Sequence, residues 1–286
     1  MSLRTLDPLP ALLTEPLVRA ALLEDLGRAG DITTEAVIAA DARMAVHMAA
    51  RQSGVVAGLD LAIQAFRLME PTLAIEVLKG DGSSVGAGEP VLRIEGRARP
   101  ILSAERVALN FACRLSGIAS ATAVLVEAAR AHGHARITCT RKTTPGLRAV
   151  EKYAVRAGGG ANHRFGLDDA ILIKDNHVAA AGGVAVAIRR ARAYVGHLVK
   201  IEVEVDTLSQ LEEALGVGID AVLLDNMGPD ALKEAVRMVD GRAITEASGR
   251  VTAATVPAIA ASGVDVISCG WLTHSAPILD LGLDDI

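Results

Sequence analysis

The chain has 286 residues, 51% of them hydrophobic but only 2% aromatic, and a formal net charge of −5. That length suffices for one large or two modest domains, and the acidic balance argues against a general nucleic-acid binder. Three cysteines, Cys113, Cys139 and Cys269, are too sparse for a disulfide framework or metal-ligand spacing, and they suit a reducing compartment.

The opening stretch MSLRTLDPLPALLTEPLV carries prolines and acids where a signal peptide needs an apolar run. No window reaches the roughly 18 uncharged apolar residues of a membrane span. A cytoplasmic protein is expected, with neither membrane nor nucleic acid as partner. Residues 1–35 read as helical. Short apolar or alternating runs follow at Met44–Ala49, Val55–Ala57, Ile75–Leu78 and Val91–Ile94, separated by glycine-rich turns. They predict a small mixed or antiparallel sheet. A long helix is expected from about Ile101 to His132. If Ser103 caps it, Arg106 lies in the first turn, where the helix dipole disfavours a cation and an anionic partner is implied; a start at Pro100 removes that argument.

After Gly133 the pattern changes. Short strands at Arg136–Thr140, Ala170–Lys174, Val199–Val205, Ala221–Leu224, Ala243–Thr245 and Val264–Ser268 alternate with helices such as Val184–Tyr194, Leu208–Leu215 and Pro229–Val239. Several strands are apolar on successive residues, as parallel strands covered on both faces are. The expected architecture is α/β: an N-terminal α/β sandwich over 1–115, then a barrel-like β/α domain over 116–273. Six clear strands do not secure closure. The tail from 274 to 286 is expected to return to the first domain.

The charge is unevenly spread. Arg136–Lys174 holds eight Lys/Arg against three Asp/Glu, leaving −10 on the rest of the chain. A cationic segment in an acidic protein points to a site for anions. Polar or glycine residues also follow each of the six strands: Arg141-Lys142, Lys174-Asp175-Asn176-His177, Glu204, Asp225-Asn226, Glu246-Ala247-Ser248-Gly249 and Ser268-Cys269-Gly270. In barrels and in open α/β sheets alike, the carboxyl ends of the strands carry the active site.

The individual residues have distinct chemistry. Arg141 offers a planar fork for carboxylate and Lys142 a point charge for phosphate. Thr144-Pro145 reads as the N-cap and first position of a helix. On that helix, Arg148, Lys152 and Arg156 read more plainly as a solvated face than as ligands. His163-Arg164, after Gly158-Gly159-Gly160, is a ligand candidate. Glu204 and Asp225 can hold Mg²⁺ and sugar hydroxyls, or stabilise a cationic sugar transition state. Ser248-Gly249 and Cys269-Gly270 sit where barrels bind phosphate on backbone N–H groups.

Several stretches carry a family resemblance: Glu105–Asn110, Leu115–Ala119, Thr140–Arg148, Glu151–Val155, Gly158–Gly160 with His163-Arg164, and Leu172–His177. In these the chain resembles quinolinate phosphoribosyltransferase, also called carboxylating nicotinate-nucleotide pyrophosphorylase. The resemblance spans the chain. It implies transfer from phosphoribosyl pyrophosphate to quinolinate with decarboxylation, giving nicotinate mononucleotide, pyrophosphate and CO₂ in NAD biosynthesis. It implies Mg²⁺ as cofactor, held by Glu204 and Asp225 directly or through the cosubstrate. It implies a homodimer with a shared site, which Arg106 reaches from the neighbouring subunit.

By the same resemblance Arg141, His163 and Arg164 hold the quinolinate carboxylates, and Lys142 and Lys174 face carboxylate and phosphate oxygens. Ser248, Gly249 and Gly270 hold the 5′-phosphate, with Thr140 and Ser268 as further substrate contacts. Lys142, Lys174, Glu204 and Asp225 are the expected catalytic residues. Cys139 departs from the family, where an Asp is more usual, and reads as a buried structural thiol. A related family associated with molybdate-transport operons shares the Thr-Arg-Lys and His-Arg elements. The run Lys174–His177 and the Thr-Thr-Pro-Gly-Leu-Arg stretch favour the quinolinate type. A non-catalytic anion binder would need the cations but not the pair Glu204 and Asp225.

Overall fold

The computed structural model describes residues 6–286, so the first five residues of the expected N-terminal helical stretch lie outside the described residues. In chain order the elements are α1 (Ala11–Leu26), α2 (Ile32–Val37), β1 (Arg43–Ala50), β2 (Gly54–Val55), α3 (Leu59–Met69), β3 (Ala74–Val77), β4 (Ser84–Val85), β5 (Pro90–Arg97) and α4 (Ala98–Arg130). Then come β6 (Arg136–Thr138), α5 (Arg148–Ala157), β7 (Ile171–Ile173), α6 (Asp175–Ala181), α7 (Val184–Tyr194), β8 (Ile201–Val205) and α8 (Leu208–Val217). The last are β9 (Ala221–Asp225), α9 (Pro229–Val239), β10 (Ile244–Ser248), α10 (Val256–Ala260), β11 (Val266–Ser268), α11 (Trp271–His274) and β12 (Leu281–Asp285).

Two compact units result. The first takes in the chain up to Ala123 with Pro145–Gly159 and Ser275–Ile286; the second holds Val124–Thr144 and Gly160–His274. The first unit is built on an antiparallel sheet in the order β12-β1-β5-β3. The tail thus returns as β12, paired with β1 from Val46↔Asp285 to Ala50↔Leu281. Helix α3 is absent from the sequence-based expectation. It buries Leu59, Leu61, Ala62, Ala65 and Phe66. Its start is held by Asp81, whose carboxylate accepts from Gly58 N–H at 2.8 Å and Leu59 N–H at 3.1 Å. A cap supplied from more than twenty residues away leaves no local signature.

The compact units interleave in sequence, and small residues let neighbouring chain sit close on α4 within the first. A Cβ at Gly117 would stand 2.1 Å from the Pro277 carbonyl oxygen, and one at Gly158 would stand 2.2 Å from that of Ala119. Arg114 donates to the fully buried Glu151 of α5 at 2.5 and 3.1 Å. Helix α4 has the length and apolarity of a membrane span, but 56% of its most apolar window is buried within the protein.

Three local expectations are corrected here. Helix α4 begins at Ala98, so Ser103 does not cap it; its hydroxyl donates to Asp31 Oδ2 at 3.0 Å. Arg106 therefore lies beyond the first turn, and the dipole argument for it fails. Helix α5 begins at Arg148 after Leu147, without a side-chain cap, so Thr144-Pro145 does not start it. Nor do its three cations share a solvated face: Arg156 is exposed, but Lys152 is 1% exposed because α5 buries every residue from Val150 to Val155.

The second unit is a six-stranded parallel sheet in the order β6-β11-β10-β9-β8-β7. It is curled but not closed. Beyond β6, among the described residues, only Ala161 pairs, through Ala161 N–H to Ile137 O at 2.8 Å. On the other side of this seam, Arg164 Nη1 donates to Ala170 O, just before β7, at 3.0 Å. Residues 161–164 therefore fill the gap between the edge strands.

Candidate active site

Strand alternation sends every second residue inward, so side chains at the carboxyl ends of parallel strands converge. A cavity of about 400 Å³ lies there, lined by Thr140, Arg141, Lys142, His163, Arg164, Leu172, Lys174, Glu204, Leu223, Asp225, Glu246, Ser248 and Ser268. Ten of the thirteen expected site residues meet in it. Gly249 and Gly270 line an adjoining cavity of about 370 Å³, which shares Thr140, Lys142, Asp225, Ser248 and Ser268 with the first. Arg106 is in neither; it lines a separate depression of the first unit with Asp25, Asp31 and Ser103.

The cations come from β6, β7 and the seam. Arg164 is half-buried, and burial first, then the neighbouring Arg141, hold its guanidinium below its ordinary range. The Nε groups of both Arg141 and Arg164 are buried without a hydrogen-bond partner. Buried donors left unpaired are costly, and two beside each other predispose the site to an anion. Lys174 is placed by its own backbone, whose N–H donates to His177 Nδ1 at 2.9 Å. Its Nζ lies 3.4 Å from Glu204 Oε2.

The carboxylates come from β8 and β9. Burial raises the Glu204 carboxyl above its ordinary value; Lys174 opposes this, and Asp225 adds to it. Asp225 Oδ2 accepts from Asn226 Nδ2 at 2.6 Å. Gly249 (φ +96°) follows β10, and a Cβ there would stand 2.2 Å from Asn226 Oδ1. Asn226 and Arg250 flank it with positive φ of 53° and 50°. Gly249 and Arg250 line the adjoining cavity, and left-handed turns of this kind suit the backbone to phosphate binding.

Sequence reasoning missed the layer beneath. Glu246 was read as following its strand, but β10 runs on to Ser248 and buries Glu246 at 4% exposure inside the barrel. His163 Nε2 lies 3.1 Å from Glu202 Oε2 and 3.6 Å from Glu246 Oε1. Period-two alternation was the available signal: Glu202 shares its face with Glu204, and Glu246 with Ser248. Cys139 is fully buried and its Sγ donates to Asn162 Oδ1 at 3.3 Å, which fits the structural reading. Burial lifts the Cys269 thiol to about 11, so no thiolate nucleophile stands at the cradle.

An incompletely closed β/α barrel with a cation wall, two facing carboxylates and a backbone cradle defines the class: an enzyme acting on polyanionic substrates. Residues 31–116 match the N-terminal domain, and 118–284 the C-terminal domain, of the family described as quinolinate phosphoribosyl transferase. The chain belongs to this family. It is 42% identical over 268 residues to the probable nicotinate-nucleotide pyrophosphorylase (carboxylating) of Bacillus subtilis, covering 94% of this chain and 92% of that one. It is 45% identical over 272 residues to the nicotinate-nucleotide pyrophosphorylase (carboxylating) of Mycobacterium leprae, covering 93% and 95%. The crystal structure of NadC from Streptococcus pyogenes superposes with a TM-score of 0.93 at 41% identity, covering 98% of this chain and 99% of that one.

Proposed function

We propose that the protein transfers the phosphoribosyl group of phosphoribosyl pyrophosphate to quinolinate and decarboxylates the product. Nicotinate mononucleotide, pyrophosphate and CO₂ result, as a step of NAD biosynthesis. The observation that carries this reading is the division of the cavity: unpaired guanidinium donors on one wall, Glu204 and Asp225 on the other, and the Gly249 cradle alongside.

Arg141, Arg164 and His163 hold the two quinolinate carboxylates, with Lys142 and Lys174 shared between carboxylate and phosphate oxygens. Thr140, Ser248, Gly249, Ser268 and Gly270 take the 5′-phosphate. The ring nitrogen then bonds to the ribose C1′ as pyrophosphate leaves. Positive charge developing on the sugar is stabilised by Glu204 and Asp225. The new ring cation next takes up the electron pair left when CO₂ departs, and a proton replaces it. Leu172 and Leu223 give the cavity an apolar side, which helps exclude water at that stage. Glu204 and Asp225 are hard oxygen donors, with Asp225 close enough to help raise the Glu204 carboxyl, a fit for Mg²⁺ directly or through the pyrophosphate. Bound there, Mg²⁺ would supply charge neutralisation on the leaving pyrophosphate.

Arg106 lies outside this cavity, and the reading gives it to the site of a second copy in a homodimer. Three buried, free cysteines suit a cytoplasmic setting. The deciding experiment is CO₂ release from carboxyl-labelled quinolinate. Release that needs quinolinate, phosphoribosyl pyrophosphate and Mg²⁺ together supports the proposal. Binding without turnover, or equal turnover of nicotinate, overturns it.

A further inference from the structure

Beneath His163, the carboxylates of Glu202 and Glu246 have no part in the chemistry above. Two carboxylates, Glu202 and Glu246, and one imidazole, His163, have ligand atoms all within 4.8 Å of one another. Glu246 is 4% exposed, and its Oε1 makes no hydrogen bond. An ionised carboxylate oxygen in that position would be buried, without a hydrogen bond and beside a second carboxylate. A proton on Glu246 removes the charge, and with it the cost of burying an ion next to Glu202. His163 Nε2 lies 3.1 Å from Glu202 Oε2, to which it donates when it carries the ring hydrogen.

We infer that Glu246 is a positioning residue, a buried carboxylic acid that leaves the hydrogen bond of His163 Nε2 to Glu202 and keeps a second negative charge from beneath the anion cavity. The inference rests on the proposed function for the identity of the anion. A dianionic substrate held by Arg164 and His163 would be repelled by two ionised glutamates on the floor. With Glu246 neutral the floor opposes it with one carboxylate fewer, and Glu202 already faces His163. The charged and polar groups around Glu246 are Glu202 from β8, His163 and Arg164 from the seam, Arg136 of β6, Lys200 before β8, and Ser268 of β11. Burial first and Glu202 second lift the Glu246 carboxyl to about 7, against the pull of His163 and Ser268. The same donor set resembles a metal site, but Arg164 and Arg141 crowd it with fixed positive charge.

The test compares wild type with Glu246→Gln, which keeps the shape and neutrality of the acid. In wild type, KM for quinolinate should rise on the order of tenfold as pH passes through the Glu246 range, the equivalent of one pKa unit of coupling. In Glu246→Gln that rise should vanish while KM for phosphoribosyl pyrophosphate keeps its wild-type profile. Parallel quinolinate profiles in the two proteins overturn the inference. A second readout needs no turnover: the ring-nitrogen NMR shifts of His163 in the uncomplexed wild-type protein. They should move with an apparent midpoint near the Glu246 value of about 7. A static His163 signal across that range overturns the inference even if Glu246→Gln does not fold. Absence of CO₂ release from wild type would instead count against the proposed function, with the NMR titration still deciding the role of Glu246.

Discussion

Replacing Arg164 with alanine separates binding from stability. The substitution deletes the bond from Nη1 to Ala170 O at 3.0 Å, which bridges the barrel seam. A single hydrogen bond of this kind contributes about 1 kcal/mol net. Against that loss, the charge is already disfavoured in the fold by burial and by Arg141, so removing it relieves part of the cost. The two effects oppose each other, and the melting temperature should move by no more than about 2–4 °C for a chain of this size. Affinity has no such offset. A charged hydrogen bond to a substrate carboxylate is worth about 1.5–3 kcal/mol, so KM for quinolinate should rise roughly 10- to 150-fold. Arg164→Lys should recover only part of this, because an ammonium keeps the charge but loses the fork. The assay is CO₂ release with each substrate varied in turn, beside a thermal melt. A folded Arg164→Ala protein with unchanged quinolinate KM, or with both KM values raised equally, would falsify the assignment.

Three further outcomes follow from the geometry. Gly249→Ala forces a Cβ to within 2.2 Å of Asn226 Oδ1 at φ +96°; it should cost about 1–3 kcal/mol in stability and raise KM for phosphoribosyl pyrophosphate more than for quinolinate. Glu204→Gln should abolish turnover yet raise the melting temperature at neutral pH. The folded Glu204 carboxyl is raised above its ordinary 4.5, so its ionisation costs stability as pH climbs through that range. A melting curve for Glu204→Gln that keeps the wild-type pH dependence would refute this. Equimolar mixing of inactive Arg106→Ala and Lys174→Ala proteins, unfolded and refolded together, should restore about a quarter of the wild-type sites if each site borrows Arg106 from its neighbour. No recovery would assign Arg106 elsewhere.

The fold was legible wherever periodicity and burial agree. Strands β7 and β9 are apolar on successive residues, and the carboxyl-end residues of the sheet are placed without knowing whether the barrel closes. Non-local causes were not legible. Helix α3 is started by Asp81 from another segment, and α4 begins at Ala98 through chain context that overrides Pro100 and Ser103. Lys152 lay in a regular cationic repeat, and only the tertiary packing of α5 buries it. A one-dimensional pattern cannot tell a cation facing solvent from one on a helix buried on several sides.

The site divides along the same line. Arg141, Lys174, Glu204 and Asp225 were found because a charged residue directly after an apolar strand is conspicuous. Glu246 has the same chemistry but sits two residues further inside, where its strand was assigned an early end. The distinction is functional as well as perceptual. Residues at the strand ends meet the substrate, and their charge must complement it. Glu246, one pleat deeper, is 4% exposed on the cavity floor, so its charge must be balanced within the fold. His163 joins the two layers, since it lines the cavity and faces Glu202 and Glu246 below. Any substitution that alters the floor must therefore act on substrate binding through that ring. A change at Glu246 that moved phosphoribosyl pyrophosphate affinity but not quinolinate affinity would contradict this layering.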